Sequence, residues 1–144
     1  MKERCVDASV IVKLALKGER HRTQARRLIR ESAQEGIILI APPFFVSEVD
    51  TVIRKRVHDG RMSQAGARRS YAVLDRAPVQ ITTHPNLRQR AREIAEQFNQ
   101  RTVYDATYAA LAQLRGCEFW TVDKAFYDTV KTLLSFVRYL PDYS

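Results

Sequence analysis

Four acids stand where apolar stretches end or where helices begin. Asp7 closes the short lead-in CV and is followed by Ala8 and Ser9, while Asp123 closes FWTV. Asp105 lies near a helix start in TVYDATYAALA, and Glu48 lies in the first turns of a helix in PPFFVSEVD. The neighbours of Glu48 and Asp105 are apolar or small, which suits close packing better than a solvated face. Four carboxylates converging on one place repel one another, and a hard divalent ion with oxygen ligands, Mg²⁺ or Mn²⁺, relieves that repulsion. An ion so held lowers the pKa of a bound water and orients a phosphodiester for in-line attack. Taken singly, each acid also has an ordinary reading. Asp7 and Asp123 suit helix N-caps, Asp105 complements a helix dipole, and Glu48 is a solvated helix residue.

The acids can meet only if the elements bring their ends together. Cys5 and Val6 read as a buried strand ending at Asp7, and residues 8–17 as a helix stopped by Gly18. Residues 21–34 carry Ala25, Leu28, Ile29 and Ala33 at helical spacing, and Gly36 closes that helix. Residues 37–41 form a β-branched, apolar run, which predicts a buried strand ended by Pro42 and Pro43. Helices follow over 44–58 and from a Ser63 cap through Asp75, then a short strand over 79–82 and a helix over 86–99. Thr102, with Asp105 three residues on, resembles a cap for a helix over about 103–115 that Gly116 stops. A strand over 118–122, a short helix capped by Asp123 and an edge strand over 136–140 complete the chain. Strands alternating with helices predict an α/β fold, with a central, mostly parallel sheet and helices on both faces. In such sheets ligands collect beyond the carboxyl ends of the strands, where the strand order reverses. No repeat, low-complexity segment or linker interrupts the pattern, so residues 1–144 read as one domain.

Composition narrows the classes. Hydrophobic residues make up 45% and charged residues 28%, as in an ordinary globular protein. The longest apolar run, GIILIAPPFFV, is broken by two prolines, so no membrane span is expected. The start, MKERCVDAS, lacks the apolar core of a signal peptide, and the cytoplasm is the expected compartment. Cys5 and Cys117 have neither CxxC spacing nor a nearby histidine and read as reduced thiols. No glycine-rich phosphate loop follows a strand and no GxSxG elbow is present. The position two residues after Asp7, where an aspartyl-nucleophile phosphatase carries a second Asp, is Ser9. The net charge of +8 favours a polyanionic partner.

Four pieces then carry a resemblance: VDASVIVKLAL at 6–16, APPFFVSEVDTVIRKR at 41–56, VYDATYAALAQ at 103–113 and TVDKAF at 121–126. In order and spacing they resemble the PIN-domain family, and within it the VapC-type ribonuclease toxins of toxin–antitoxin pairs. The resemblance implies a PIN-like fold with an acidic pocket at the strand ends. It makes Asp7 and Asp105 the chief ligands of Mg²⁺ or Mn²⁺, with Glu48 and Asp123 completing a catalytic quartet, and it makes Ser9 and Thr121 supporting hydroxyls. Two positions depart from the pattern. Asp50–Thr51 stands where many relatives have a small residue and Asn, and Gln100–Arg101 where a Gly is frequent.

The activity so implied is metal-dependent hydrolysis of RNA, with a cognate antitoxin and a second copy of the chain as partners. A PIN nuclease with an RNA-processing role, or a non-catalytic RNA- or protein-binding domain, are the alternatives. An acid-floored pocket needs cations around it to admit RNA, and Lys13, Arg54, Lys55 and Arg56 are the candidates, although such runs are also ordinary solvated faces. Tyr104, beside Asp105, is read first as packing and second as a residue that stacks a base or lines the pocket, and Trp120 as core.

Overall fold

A computed structural model describes residues 2–144. Among them are five strands: β1 (Glu3–Val6), β2 (Ile38–Ala41), β3 (Val79–Ile81), β4 (Glu118–Thr121) and β5 (Val137–Tyr139). Seven α-helices accompany them: α1 (Ala8–Ile11), α2 (Arg22–Gln34), α3 (Phe45–His58), α4 (Gln64–Asp75), α5 (Leu87–Gln97), α6 (Tyr104–Arg115) and α7 (Lys124–Val130). The sheet order is β3-β2-β1-β4-β5, and every pairing is parallel. The expected α/β fold is therefore present, with a sheet that is wholly rather than mostly parallel.

β1 lies at the centre, with Cys5 opposite Ile40 on one side and Phe119 on the other. The chain runs outward from β1 to β2 and β3, then crosses back to β4 on the far side. Strand order thus reverses between β1 and β4, and the carboxyl ends of both strands point at the switch point. Asp7 and Asp123 lie just past those ends.

Alternation along β4 shows how both faces are covered. Phe119 stacks on Tyr108 of α6, with ring centres 5.4 Å apart and planes 3° from parallel. Trp120 points the other way and meets Tyr143, whose hydroxyl donates to Glu31 of α2 at 2.8 Å. Residues packed round the sheet, such as Val6, Ile40, Leu111 and Phe119, have no exposed surface.

Two local expectations are corrected. The helix predicted over 8–17 stops at Ile11 and continues only as the 3₁₀ turn Val12–Leu14. The Arg22 guanidinium takes the Lys13 and Leu14 carbonyls at 2.9 and 3.3 Å, so these groups are satisfied without further helix. Thr102 does not cap α6. The N-cap residue is Val103, which makes no side-chain cap bond, and its carbonyl accepts from the backbone N–H of Thr107 at 2.8 Å and from its hydroxyl at 2.6 Å. The stop at Gly116 holds, since its φ of 69° is left-handed.

Phe119 joins the sheet to α6 and to α7, where it meets Phe126 edge-on at 6.4 Å. Phe119→Ala should cost about 3–5 kcal/mol in urea unfolding, whereas truncating the exposed Leu133 should cost less than about 0.5 kcal/mol.

Candidate active site

Asp7 caps α1 through Val10 N–H, which donates to Oδ1 at 3.2 Å. The Ser9 hydroxyl donates to the same oxygen. Thr121, at the end of β4, donates its hydroxyl to Oδ2 at 2.6 Å. The Asp7 carboxylate is buried and offers about four lone-pair sites. Three are occupied by these donors, and one on Oδ2 remains. Capping and chemistry are therefore not rival readings of Asp7, because one side chain can serve both.

The Thr121 hydroxyl also accepts from Asp123 N–H at 3.0 Å. Asp123 is exposed and caps α7 through Phe126 N–H at 2.9 Å. Asp105 sits half-buried in the first turn of α6. Glu48 sits half-buried in the first turn of α3. Its Oε1 accepts from the Tyr108 hydroxyl at 2.6 Å. Asp50 faces solvent, as its offset from Glu48 requires.

The four acids share one electrostatic field. Burial pushes Asp105 up from the usual 3.8 to about 8. The Asp7 charge, the hydrogen bonding and charge of Asp123, and the Glu48 charge add to that shift. Asp7 is raised by burial, against the three hydrogen bonds that favour its charged form and with a further rise from Asp123. Glu48 is raised by burial, with the Tyr108 hydrogen bond opposing and the Asp7 charge adding. Among the described residues, no three His, Cys, Asp or Glu side chains stand close enough to enclose an ion as they are placed. The acids therefore form a shared field rather than a finished ligand cage. Their donor set is oxygen only, and the strain on it is an excess of negative charge, so it fits a hard cation such as Mg²⁺ or Mn²⁺.

A cleft of about 660 Å³ opens beside the acids, lined by Ser9, Glu48, Glu19, Lys55 and Tyr104 among others. Tyr104 is 54% exposed, leans on Phe44 at 5.5 Å and lines the cleft, so the pocket-lining reading holds in place of the packing first expected. Of the proposed RNA contacts, Lys55 lines the cleft and Arg54 is exposed. Lys13 is only 6% exposed, with its Nζ 4.0 Å from Glu19, and Arg56 pairs with the same Glu19 at 3.4 Å. Tyr108 was not singled out from the sequence. It donates its hydroxyl to Glu48 and so links α6 to the first turn of α3. Its only sequence signal is a bulky residue in an otherwise small-residue helix.

A family model described as the PIN domain matches residues 4–131. The chain belongs to the PIN-domain family. No curated protein matches this PIN domain in sequence. Among solved structures it is similar to PAE2754 from Pyrobaculum aerophilum, at 23% identity over 93% of each chain with a TM-score of 0.65. It is also similar to Mycobacterium tuberculosis VapC20, a toxin that cleaves the sarcin–ricin loop. That match has 19% identity over 87% of this chain and 93% of the other, with a TM-score of 0.64. Among the described residues, no helix is long and apolar enough to cross a membrane.

The raised acids carry a stability consequence. The folded chain keeps a proton on Asp105 where the unfolded chain has released it, so metal-free stability should fall as pH rises from about 4 through about 8. In EDTA, Asp105→Asn should flatten that decline. It should also melt higher than wild type at pH 8 by at least about 3 °C, the shift that roughly 1 kcal/mol gives in a domain near this size.

Proposed function

We propose that this PIN domain is a Mg²⁺- or Mn²⁺-dependent endoribonuclease, the toxin of a toxin–antitoxin pair that acts as a homodimer and is held in check by a cognate antitoxin. The observation that carries the reading is that Asp7, Glu48 and Asp105 are each raised in part by the charge of another acid. Charge of that kind, gathered and partly buried, lowers stability and makes sense at a site that receives a cation. The likeness to a toxin that cleaves an RNA loop supports RNA as the substrate class.

Asp7 and Asp105 are assigned as chief cation ligands, with Glu48 and Asp123 completing the set. A divalent ion held there would neutralise the scissile phosphate and supply a hydroxide at neutral pH. Ser9 and Thr121 fix the Asp7 carboxylate in one orientation, so that its remaining lone pair needs little reorganisation. Lys55 offers positive charge along the cleft, and Arg54 lies on the same helix. Lys13 and Arg56 are engaged by Glu19 and contribute less.

The test pairs calorimetric titration of Mn²⁺ with cleavage of a structured RNA by the antitoxin-free protein. Wild type should bind Mn²⁺ and cleave, and EDTA should stop cleavage. Asp7→Asn and Asp105→Asn should each reduce the rate by more than about 100-fold, beyond the range seen for residues that only support ligands. Cleavage that persists in EDTA, or Mn²⁺ binding undiminished in both variants, would sink the proposal. A wild type that cleaves RNA but does not arrest growth when expressed would point to an RNA-processing role instead.

Salt dependence separates the cations. Lys55→Ala should weaken RNA binding and lower the slope of log affinity against log salt by about 0.7, the value of one lost phosphate contact on a single strand. Arg56→Ala should leave the slope nearly unchanged.

A further inference from the structure

The hydroxyl of Tyr108 reaches from α6 to an acid on α3. It donates to Glu48 Oε1 at 2.6 Å. The ring that carries it is fixed. Tyr108 is 1% exposed, lies flat on Phe119 at 5.4 Å, and meets the edge of Phe44 at 5.2 Å. The hydroxyl cannot swing aside without opening the core. Glu48, by contrast, has a long side chain on the wall of an open cleft, where several rotamers would otherwise be accessible. The Tyr108 bond selects one arrangement and draws on one of its two oxygens.

A carboxylate can meet a cation through one oxygen or through both. Ca²⁺ takes about six to eight oxygens in flexible geometry and readily accepts both from one carboxylate. Mg²⁺ demands a near-octahedral shell at about 2.0–2.1 Å, and two oxygens of one carboxylate fit that shell poorly. An oxygen already bound to a buried hydroxyl is a weaker second donor. We propose that Tyr108 is a positioning residue that makes Glu48 a single-oxygen ligand, and so sets the preference of the site for small octahedral cations over Ca²⁺. The inference rests on the cation-site reading above.

The experiment measures dissociation constants for Mn²⁺ and Ca²⁺ by calorimetry on wild type, Tyr108→Phe, Glu48→Ala and the double variant. Phe keeps the aromatic stack and removes only the hydroxyl. The ratio of the two affinities should shift toward Ca²⁺ by roughly tenfold or more in Tyr108→Phe, the scale of one hydrogen bond to a charged group. In the Glu48→Ala background the same substitution should leave the ratio unchanged, because the group through which Tyr108 acts is gone. An unchanged ratio in Tyr108→Phe, or an equal shift in both backgrounds, would overturn the role, since a general packing defect does not select between cations.

Should Tyr108→Phe fold poorly, Glu48→Gln gives the answer without disturbing the stack. A glutamine can donate its amide N–H to the Tyr108 oxygen and so leaves its one oxygen for a cation. Its ratio should stay within about twofold of wild type, the usual error of additivity. A larger shift toward Mn²⁺ would mean that wild-type Glu48 uses both oxygens, and would overturn the role. Absence of Mn²⁺ binding in wild type overturns the cation-site reading and this one together, and the wild-type arm alone reports it. Mn²⁺ binding with an unmoved ratio strikes only the role of Tyr108.

Discussion

The Thr121 hydroxyl, at 2.6 Å from Asp7 and 3.0 Å from the Asp123 amide, is the joint on which the acidic edge depends. It is fully buried, and each of its bonds answers a problem created by the fold. A buried carboxylate needs donors, and Thr121 supplies one from the neighbouring strand. The chain leaving β4 must turn into α7, and Thr121 holds the first amide of that turn. One small side chain thus ties together the ends of the two strands between which strand order reverses. A valine there would have nearly the same volume but would leave the carboxylate and the amide each short of a partner.

Around that joint, the molecule gathers acids where an ordinary core would not tolerate their charge. Asp105 remains protonated near neutral pH because burial and three other acids oppose its charge. The surrounding aromatic layer makes this tolerable. Phe44, Tyr108, Phe119 and Phe126 form a continuous series of ring contacts from the cleft wall to α7, so the acids sit on a stiff backing that cannot collapse to separate them. Repulsion is relieved by a proton on Asp105 and not by movement, and a cation bound at the acids would take over that role.

Much of this was legible in the residues themselves. Asp7 and Asp123 could be placed at strand ends because a short apolar run followed by an acid and a helix signal has few other readings in an alternating chain. Glu48 and Asp105 could be placed because apolar or small neighbours left no solvated face for them. What could not be read were relations that depend on the angle between elements. Tyr108 looks like one more core residue of α6, and only the placement of α6 near the start of α3 brings its hydroxyl to Glu48. Lys13 looked like a free cation because no periodicity reveals that Glu19, on the turn after it, folds back to meet both Lys13 and Arg56. The cap expected at Thr102 failed for a simpler reason: the helix begins one residue later, with Val103 in the N-cap position.

The bond between Thr121 and Asp7 spans 114 positions of the chain. Its two ends belong to neighbouring parallel strands, a pairing that local contacts cannot form early. Synthesis runs from the Asp7 end, so α2 through α6 must all emerge before Thr121 and Asp123 exist to meet it. Until β4 has emerged, the chain lacks the joint and one of its four acids. Whatever the acidic edge does, it waits until the fourth strand has been made and has docked beside the first.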